Sequence, residues 1–283
     1  MKTTATLYVV ATPIGNLEDL TFRAARILGE VSLIAAEDTR HTRKLLNHYG
    51  IATPLVSYYR ERENSRAEEL LARLLAGESI AVVADAGTPG IADPGAILVQ
   101  KARRAGIRVC PIPGASAMTA AVSVAGFASG EFLFLGFPPA KGGSRRKWLE
   151  PLTTCPWPMV LYESPRRVRG LLADMLALWG DRPAMAAREL TKAFEETEQS
   201  SLAGLLDHPI AQAERGEYVV IVWPMAAPAK DSDDLDGLLR WYRDQGELSL
   251  KDVCRRLATD LNLPRTAIYQ RALTIWQEKS GED

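Results

Sequence analysis

The first 125 residues alternate short apolar runs with segments of helical periodicity. Four runs, at residues 7–11, 32–36, 80–84 and 108–112, have little polar alternation, which is typical of strands covered on both faces. The segments between them, at residues 20–28, 40–49, 67–76 and 96–104, have the period of helices. Because strands and helices alternate, we expect an α/β fold with a parallel sheet and helices on both of its faces.

A second α/β unit is predicted after a boundary loop at residues 127–131. Its strands are expected at residues 132–137, 159–162, 184–187, 194–200 and 218–223, with a helix near 168–179. Its longer connections suggest a mixed sheet. Residues 224–233 predict a linker, and three helical stretches follow at 235–244, 249–261 and 265–277. We therefore expect two α/β domains, 1–126 and 127–226, and a small C-terminal helical segment, 233–283.

Composition narrows the class of protein. The 283 residues carry 34 Lys and Arg against 35 Asp and Glu, a formal net charge of −1, so any contact with RNA must depend on a local basic patch. The three cysteines are far apart, which argues against a disulfide scaffold or a zinc site and suits the reducing cytoplasm. Because no apolar run approaches the ~20 residues of a membrane span, we expect a cytoplasmic protein with no membrane contact.

Loops rich in Gly and Pro follow three of the predicted parallel strands, at residues 12–17, 85–95 and 113–117. The carboxyl ends of parallel strands meet at one edge of the sheet, where ligands of such sheets bind. Glycine lets a ligand approach the backbone and proline fixes the loop, although each loop alone could be an ordinary turn. The loops lack the glycine motifs of dinucleotide and P-loop sites. We therefore expect a pocket that holds its ligand through backbone groups and apolar contacts.

Six segments together resemble the tetrapyrrole-methylase superfamily: residues 8–17, 36–42, 85–95, 113–117, 162–165 and 188–192. Residues 11–16 read Ala-Thr-Pro-Ile-Gly-Asn, where members that act on tetrapyrroles tend to carry Gly-x-Gly-Pro-Gly-Asp, so the chain is most similar to the ribosomal branch. This resemblance implies S-adenosylmethionine bound in a cleft between two α/β domains, and a homodimer. It also implies 2′-O-methylation of a cytidine in the decoding centre of 16S rRNA, in the small ribosomal subunit.

The convergence of the three loops with a strand end of the second unit selects the residues expected to contact the cofactor. These are Pro13, Asp85, Ala86, Gly87, Thr88, Ile91, Ser116, Ala117 and Tyr162.

Three further residues are candidates for the chemistry of transfer to a ribose hydroxyl, which needs alignment of the reactants and gains from a proton acceptor but requires no metal. Asp38 follows the second strand at the same sheet edge and is the preferred base, or alternatively an ordinary helix N-cap. Arg40 has a planar guanidinium suited to an RNA phosphate. Lys192 is the second candidate base; we favour it as a positive group near the RNA backbone, or as a simple exposed lysine.

Residues 140–170 carry seven basic and two acidic side chains, a local charge of +5. Residues 141–147 are expected to form a flexible basic loop that orders on RNA phosphates, with Trp148 beside it to stack on a base. The alternative is a solvated charged loop with Trp148 as a core anchor. The residues expected to bind RNA are Lys141, Arg145, Arg146, Lys147, Arg166 and Arg167.

The C-terminal segment and the choice of substrate leave alternatives open. Residues 248–269 resemble a small helix-turn-helix that binds nucleic acid, but a helical cap or a dimer clamp fits equally well. A C-methyltransferase of a tetrapyrrole would share the fold and cofactor, yet it would have no use for the basic segment. A ribosome-binding module without cofactor chemistry is a second rival, and the intact loops at 85–95 and 113–117 argue against it.

Overall fold

A computed structural model describes residues 5–127, 130–213, 215–224, 234–246, 248–261 and 263–277. The chain divides into two compact units, Met1–Met225 and Ala226–Asp283. The first unit contains two five-stranded sheets, and the division of this unit at residues 126 and 127 stays a prediction. Of the predicted linker, residues 225–233 lie outside the described residues.

The first sheet is parallel, with its strands in the order β3-β2-β4-β1-β5. Its strands are β1 (Thr6–Val10), β2 (Leu33–Ala36), β3 (Leu55–Ser57), β4 (Ile80–Val83) and β5 (Arg108–Ile112). This arrangement confirms the predicted parallel sheet. The short β3 was not predicted, because its three residues are only half-buried and give too little apolar pattern to detect.

Helices cover both faces of the first sheet. They are α1 (Phe22–Glu30), α2 (Thr39–His48), α3 (Glu63–Leu75) and α4 (Ala96–Arg104), whereas α5 (Ala117–Val124) packs in a core with the second sheet. Side chains alternate between the faces of a strand, so Ile34 and Ala36 of β2 pack in one core with α1 and α2. Leu33 and Ala35 pack in the other core with α3 and α4. Burial of all four residues explains why β2 reads as an unbroken apolar run.

The second sheet is mixed, as predicted, with the order β6-β7-β10-β8-β9. Its strands are β6 (Leu133–Gly136), β7 (Met159–Glu163), β8 (Pro183–Arg188), β9 (Glu196–Ser201) and β10 (Tyr218–Val222). Only β6 and β7 run parallel, and the other neighbours are antiparallel. Helices α6 (Gly142–Leu149), α7 (Pro165–Trp179) and α8 (Leu202–Asp207) complete this half of the unit.

The prediction of a flexible basic loop at residues 141–147 was wrong, because these residues belong largely to α6. Arg145 is 7% exposed and pairs with Asp174 of α7 at 2.7 Å. Trp148 packs against the core of the second sheet, as the alternative interpretation expected. A contact with a residue about thirty positions away in the sequence therefore holds this segment as a helix.

Within the described residues, the second unit consists of the three predicted helices. They are α9 (Leu235–Gln245), α10 (Leu250–Leu261) and α11 (Arg265–Gln277). Their buried side chains form a core of their own that includes Leu239, Val253, Leu257 and Ile268. In the parts of the chain that the structure describes, no helix is long and apolar enough to cross a membrane.

Candidate active site

A cavity of about 420 Å³ lies in the first unit, at the carboxyl edge of the first sheet. The loops after β1, β4 and β5 supply one side of it, through Ile14, residues 85–88 and 91–93, and Ser116. The second sheet supplies the other side, through residues 162–164 and 216–219. The lining combines backbone-rich loops, apolar side chains and carboxylates, which is the composition of a small-molecule site.

Hydrogen bonds tie the three loops of the first sheet to one another. The backbone groups of Thr12 and Gly87 pair reciprocally, with N···O distances of 2.9 and 3.0 Å. The Thr12 hydroxyl donates to the carbonyl of Ala84 at 3.1 Å, and the Thr88 hydroxyl donates to that of Ala115 at 3.3 Å. Gly87 has φ of 78°, a region that residues with a Cβ rarely adopt. These hydrogen bonds therefore fix the loops relative to one another.

Tyr162 joins the second sheet to the loops of the first. Its hydroxyl oxygen accepts a hydrogen bond from the backbone N–H of Met118, in the first turn of α5, at 2.9 Å. The rings of Phe134 and Phe137 contact the Tyr162 ring edge-on, at 5.0 and 5.4 Å between centroids. Burial raises the pKa of Tyr162, so its hydroxyl stays protonated at neutral pH.

Three carboxylates line the cavity near the end of β2: Glu37, Asp85 and Asp93. The backbone N–H of Asp85 donates to Glu37 Oε2 at 3.4 Å, and Asp85 Oδ1 accepts from the backbone N–H of Asp38 at 2.9 Å. Burial raises the pKa of Glu37, and the charges of Asp93 and Asp85 raise it further. Burial also raises the pKa of Asp93. This side of the cavity therefore favours a positively charged ligand.

Asp38 and Arg40 lie beside the cavity, and neither belongs to its lining. Asp38 is the N-cap of α2 and accepts the backbone N–H of Arg40 at 2.8 Å. Its other carboxylate oxygen pairs with the Arg40 guanidinium at 2.7 Å. Hydrogen bonds from Arg40 hold the pKa of Asp38 well below its usual range. The predicted alternative of a helix cap is confirmed, and the role of Asp38 as a base stays a prediction.

Lys192 ends a strained loop that follows β8. Glu189 and Thr191 have φ of 51° and 68°, which is uncommon for residues other than glycine. Lys192 Nζ donates to Glu189 at 2.7 Å and to Glu217, a cavity residue, at 3.0 Å. Burial alone would lower the pKa of Lys192, but these two carboxylates outweigh it and raise the pKa. The ammonium therefore stays charged at neutral pH.

The comparisons with known proteins identify the family. Residues 6–206 match the model of the tetrapyrrole (corrin/porphyrin) methylases. The chain is 45% identical to ribosomal RNA small subunit methyltransferase I of Xylella fastidiosa, over 95% of this chain and 99% of that protein. The protein of the same name from Pseudomonas aeruginosa is 43% identical, over 95% and 96%. The chain belongs to the tetrapyrrole methylase family. Membership confirms the predicted resemblance and the prediction of a methyltransferase.

Solved structures of tetrapyrrole methylases share the fold. The methyltransferase CobJ superposes with a TM-score of 0.59 at 21% identity, covering 78% of this chain and 95% of that one. Uroporphyrin-III C-methyltransferase from Thermus thermophilus gives a TM-score of 0.55 at 17% identity, covering 77% and 94%. These likenesses confirm the predicted architecture of two α/β halves.

In this methylase, eight of the nine residues predicted to contact the cofactor line the cavity. They are Asp85, Ala86, Gly87, Thr88, Ile91, Ser116, Ala117 and Tyr162. Pro13 is buried and lies outside the lining. Sequence reasoning missed Glu37 and Asp93, although Glu37 directly follows β2 at the same edge and Asp93 lies inside a loop already selected. It also missed Gly216 and Glu217, for which the sequence carries no recognisable signal.

The residues predicted to bind RNA divide into two groups. Lys141, Lys147 and Arg166 are exposed. The other three, of which Arg146 is also exposed, form ion pairs with Asp174 of α7 or Glu163 of β7. Arg145 and Arg146 pair with Asp174 at 2.7 and 3.1 Å, and Arg167 pairs with the buried Glu163 at 2.6 Å.

Proposed function

We propose that this methylase transfers a methyl group from S-adenosylmethionine to the 2′-hydroxyl of a cytidine in 16S rRNA of the small ribosomal subunit. One observation carries the proposal: the predicted loops converge on a cavity with carboxylates in a chain 45% identical, over nearly its whole length, to a ribosomal RNA small subunit methyltransferase I. Small ribosomal subunits place this activity in the cytoplasm.

The residues of the cavity fit S-adenosylmethionine. Its volume of about 420 Å³ lies within the usual range of small-molecule sites. Backbone groups of residues 85–88 and 116–117, with the apolar side chains of Ile14 and Ile91, would hold the adenosine part. The carboxylates of Glu37, Asp85 and Asp93 would attract the positive sulfonium and amino groups. The cofactor supplies an electrophilic methyl group.

Glu37 takes the place of Asp38 as the preferred proton acceptor. Glu37 lines the cavity and has a raised pKa, whereas Asp38 is outside the lining and its carboxylate is already bound by Arg40. A weakly basic carboxylate gains little from accepting a proton, so position and basicity both favour Glu37. Arg40 remains available to an RNA phosphate through its 89% exposed side chain. Lys192 stays charged and is the positive group that we place near the RNA, where a phosphate would compete with Glu189 and Glu217 for its ammonium.

A homodimer is part of the proposal, in agreement with the expectation from the family. Large apolar side chains are exposed on the first unit, among them Phe22 at 99% and Phe194 at 79%. Aromatic residues are enriched in protein–protein interfaces, so these side chains would suit a contact with a second copy of the chain. Sedimentation velocity of the purified chain tests this part, with a dimer expected and a monomer at all concentrations against it.

The experiment that tests the function measures transfer from labelled S-adenosylmethionine to three acceptors: small ribosomal subunits, naked 16S rRNA and uroporphyrinogen III. We expect label in a cytidine ribose of the RNA. Label in uroporphyrinogen alone would support the rival tetrapyrrole C-methyltransferase, which the shared fold favours. If none of the three acceptors receives label, the proposal is contradicted.

Gly87→Val provides a variant of the cofactor site, and Gly106→Val is its matched control. Both glycines have positive φ, 78° and 72°, so both substitutions strain the backbone. Only at Gly87 would an added Cβ contact Ile14 and the cavity loops, since nothing lies within 4 Å of one at Gly106. By calorimetry we expect S-adenosylmethionine to bind Gly87→Val at least about tenfold more weakly and Gly106→Val with unchanged affinity. Equal affinities would place the cofactor elsewhere.

A further inference from the structure

A second cavity, distinct from the candidate active site, opens on the first unit between the start of α7 and the segment before β10. Its volume is about 840 Å³, and its lining includes Arg166, Arg169, Arg215, Gln212 and Pro165. No carboxylate belongs to the lining among the residues that the structure describes. We refer to this cavity as the arginine groove.

The charges of the arginine groove are open to a ligand. Neither Arg166 nor Arg215 forms an ion pair with a residue in the described part of the chain. Arg169 donates one N–H to the carbonyl of Leu206 at 2.8 Å, which positions its guanidinium without neutralising it. The nearby Arg145 and Arg167 are different, because Asp174 and Glu163 neutralise them. In a chain of net charge −1, the groove is thus a concentrated positive surface.

The arginine groove adjoins the candidate active site through two chain segments. Ser164 lines the active-site cavity and Pro165, the next residue, lines the groove. Arg215 lines the groove and Gly216, the next residue, lines the active-site cavity. Consecutive Cα atoms are about 3.8 Å apart, so the linings of the two cavities adjoin along the chain at both points. A polymer with one unit in the active site would lay its neighbouring units along the groove.

The side chains of the arginine groove indicate which chemical groups of a polymer would bind there. Guanidinium groups bind phosphate through paired N–H donors in a planar fork. Gln212 adds an amide that donates or accepts, which suits a phosphate oxygen or a ribose hydroxyl. From the groove and its position, we infer that Arg166, Arg169 and Arg215 bind the phosphodiester backbone of the substrate RNA next to the nucleotide that is methylated. This inference rests on the proposed function.

The test replaces the three groove arginines together: Arg166→Gln, Arg169→Gln and Arg215→Gln. The matched control removes three exposed arginines at the opposite edge of the first sheet: Arg103→Gln, Arg104→Gln and Arg108→Gln. Both variants lose the same charge. Affinity for a fragment of 16S rRNA that contains the methylated nucleotide is measured over a range of salt concentrations. S-adenosylmethionine affinity is measured by calorimetry as a check on the active site.

We expect the groove variant to flatten the slope of log affinity against log salt by roughly 2–3, since each lost phosphate contact contributes ~0.7–0.9. The control variant keeps the wild-type slope, and both variants keep wild-type affinity for S-adenosylmethionine. A wild-type slope in the groove variant, while wild-type protein methylates RNA, would overturn the inference and leave the proposed function intact. Loss of affinity for assembled subunits but not for the RNA fragment would also overturn it, because the groove would then bind an acidic protein. Wild-type protein that neither binds nor methylates rRNA would refute the function itself.

Discussion

Two strand-to-helix junctions, one in each sheet, place consecutive residues of like charge in opposite environments. At the junction of β2 and α2, Glu37 lines the cavity, whereas Asp38 caps the helix and is paired with Arg40. At the junction of β7 and α7, Arg166 faces the arginine groove, whereas Arg167 is paired with the buried Glu163.

The comparison shows that the partner of a charge, more than its place in the sequence, decides what the charge can do. A carboxylate that is already in an ion pair, or a guanidinium that is paired with a buried carboxylate, has its preferred counter-charge and a fixed geometry. Its open neighbour has the same chemistry available for a ligand. Substitution of the open residue at a junction should therefore affect function, whereas substitution of the paired residue should affect stability or have little effect.

The largest expected effect is on the rate of methyl transfer, after substitutions at the junction of β2 and α2. Glu37→Gln keeps the shape of the side chain and removes the proton acceptor, so transfer should fall ~10²-fold or more, the usual contribution of a general base. Asp38→Asn keeps the helix cap and should remain within a few-fold of wild type. Single turnover with saturating S-adenosylmethionine and small ribosomal subunits measures both. An inactive Asp38→Asn beside an active Glu37→Gln would reverse the assignment.

The second effect is on stability at the other junction. Arg167→Ala leaves the Glu163 carboxylate, which has a fully buried side chain, without its counter-charge. Because the Arg167 side chain is 30% exposed, we expect a loss of about 2–3 kcal/mol of unfolding free energy, less than the ~3–5 kcal/mol of a fully buried pair. Arg166→Ala, its matched control, should change the free energy by less than about 0.5 kcal/mol. Urea denaturation compares the two, and equal midpoints would refute the distinction.

The smallest effect is a displacement in the pH dependence of transfer. Burial and neighbouring carboxylates raise the pKa of Glu37, so its active, ionised form is lost at a higher pH than for an ordinary glutamate. The transfer rate should fall as the pH drops through that raised pKa, and this acidic limb should disappear in Glu37→Gln but persist in Asp38→Asn. A profile over pH in single turnover shows the limb. If the acidic limb disappears only in Asp38→Asn, the titrating group is Asp38.

Much of the fold and of the cavity lining could be predicted because their signals are local. The unbroken apolar run of β2 and the three loops of the first sheet carry their information within a few residues. A parallel sheet then brings the loops to one edge whatever the rest of the chain does. Eight residues predicted to contact the cofactor, Gly87 and Ser116 among them, line the cavity as that rule leads us to expect.

The remaining features depend on contacts between distant segments. Asp174 turns the basic run at 141–147 into a helix, and no pattern within that run reveals it. Glu217 reaches the cavity only because β10 pairs between β7 and β8. The choice between Glu37 and Asp38 depends on which carboxylate Arg40 binds, a question of side-chain geometry at one turn of α2.

The most direct test of the account maps ribose methylation in 16S rRNA from cells that contain this protein and from cells that lack it. The account predicts one 2′-O-methylated cytidine that disappears with the protein. The modification should return with the wild-type chain and with Asp38→Asn, but not with Glu37→Gln. A methylation map of 16S rRNA that is identical in the two kinds of cell would contradict the central claim.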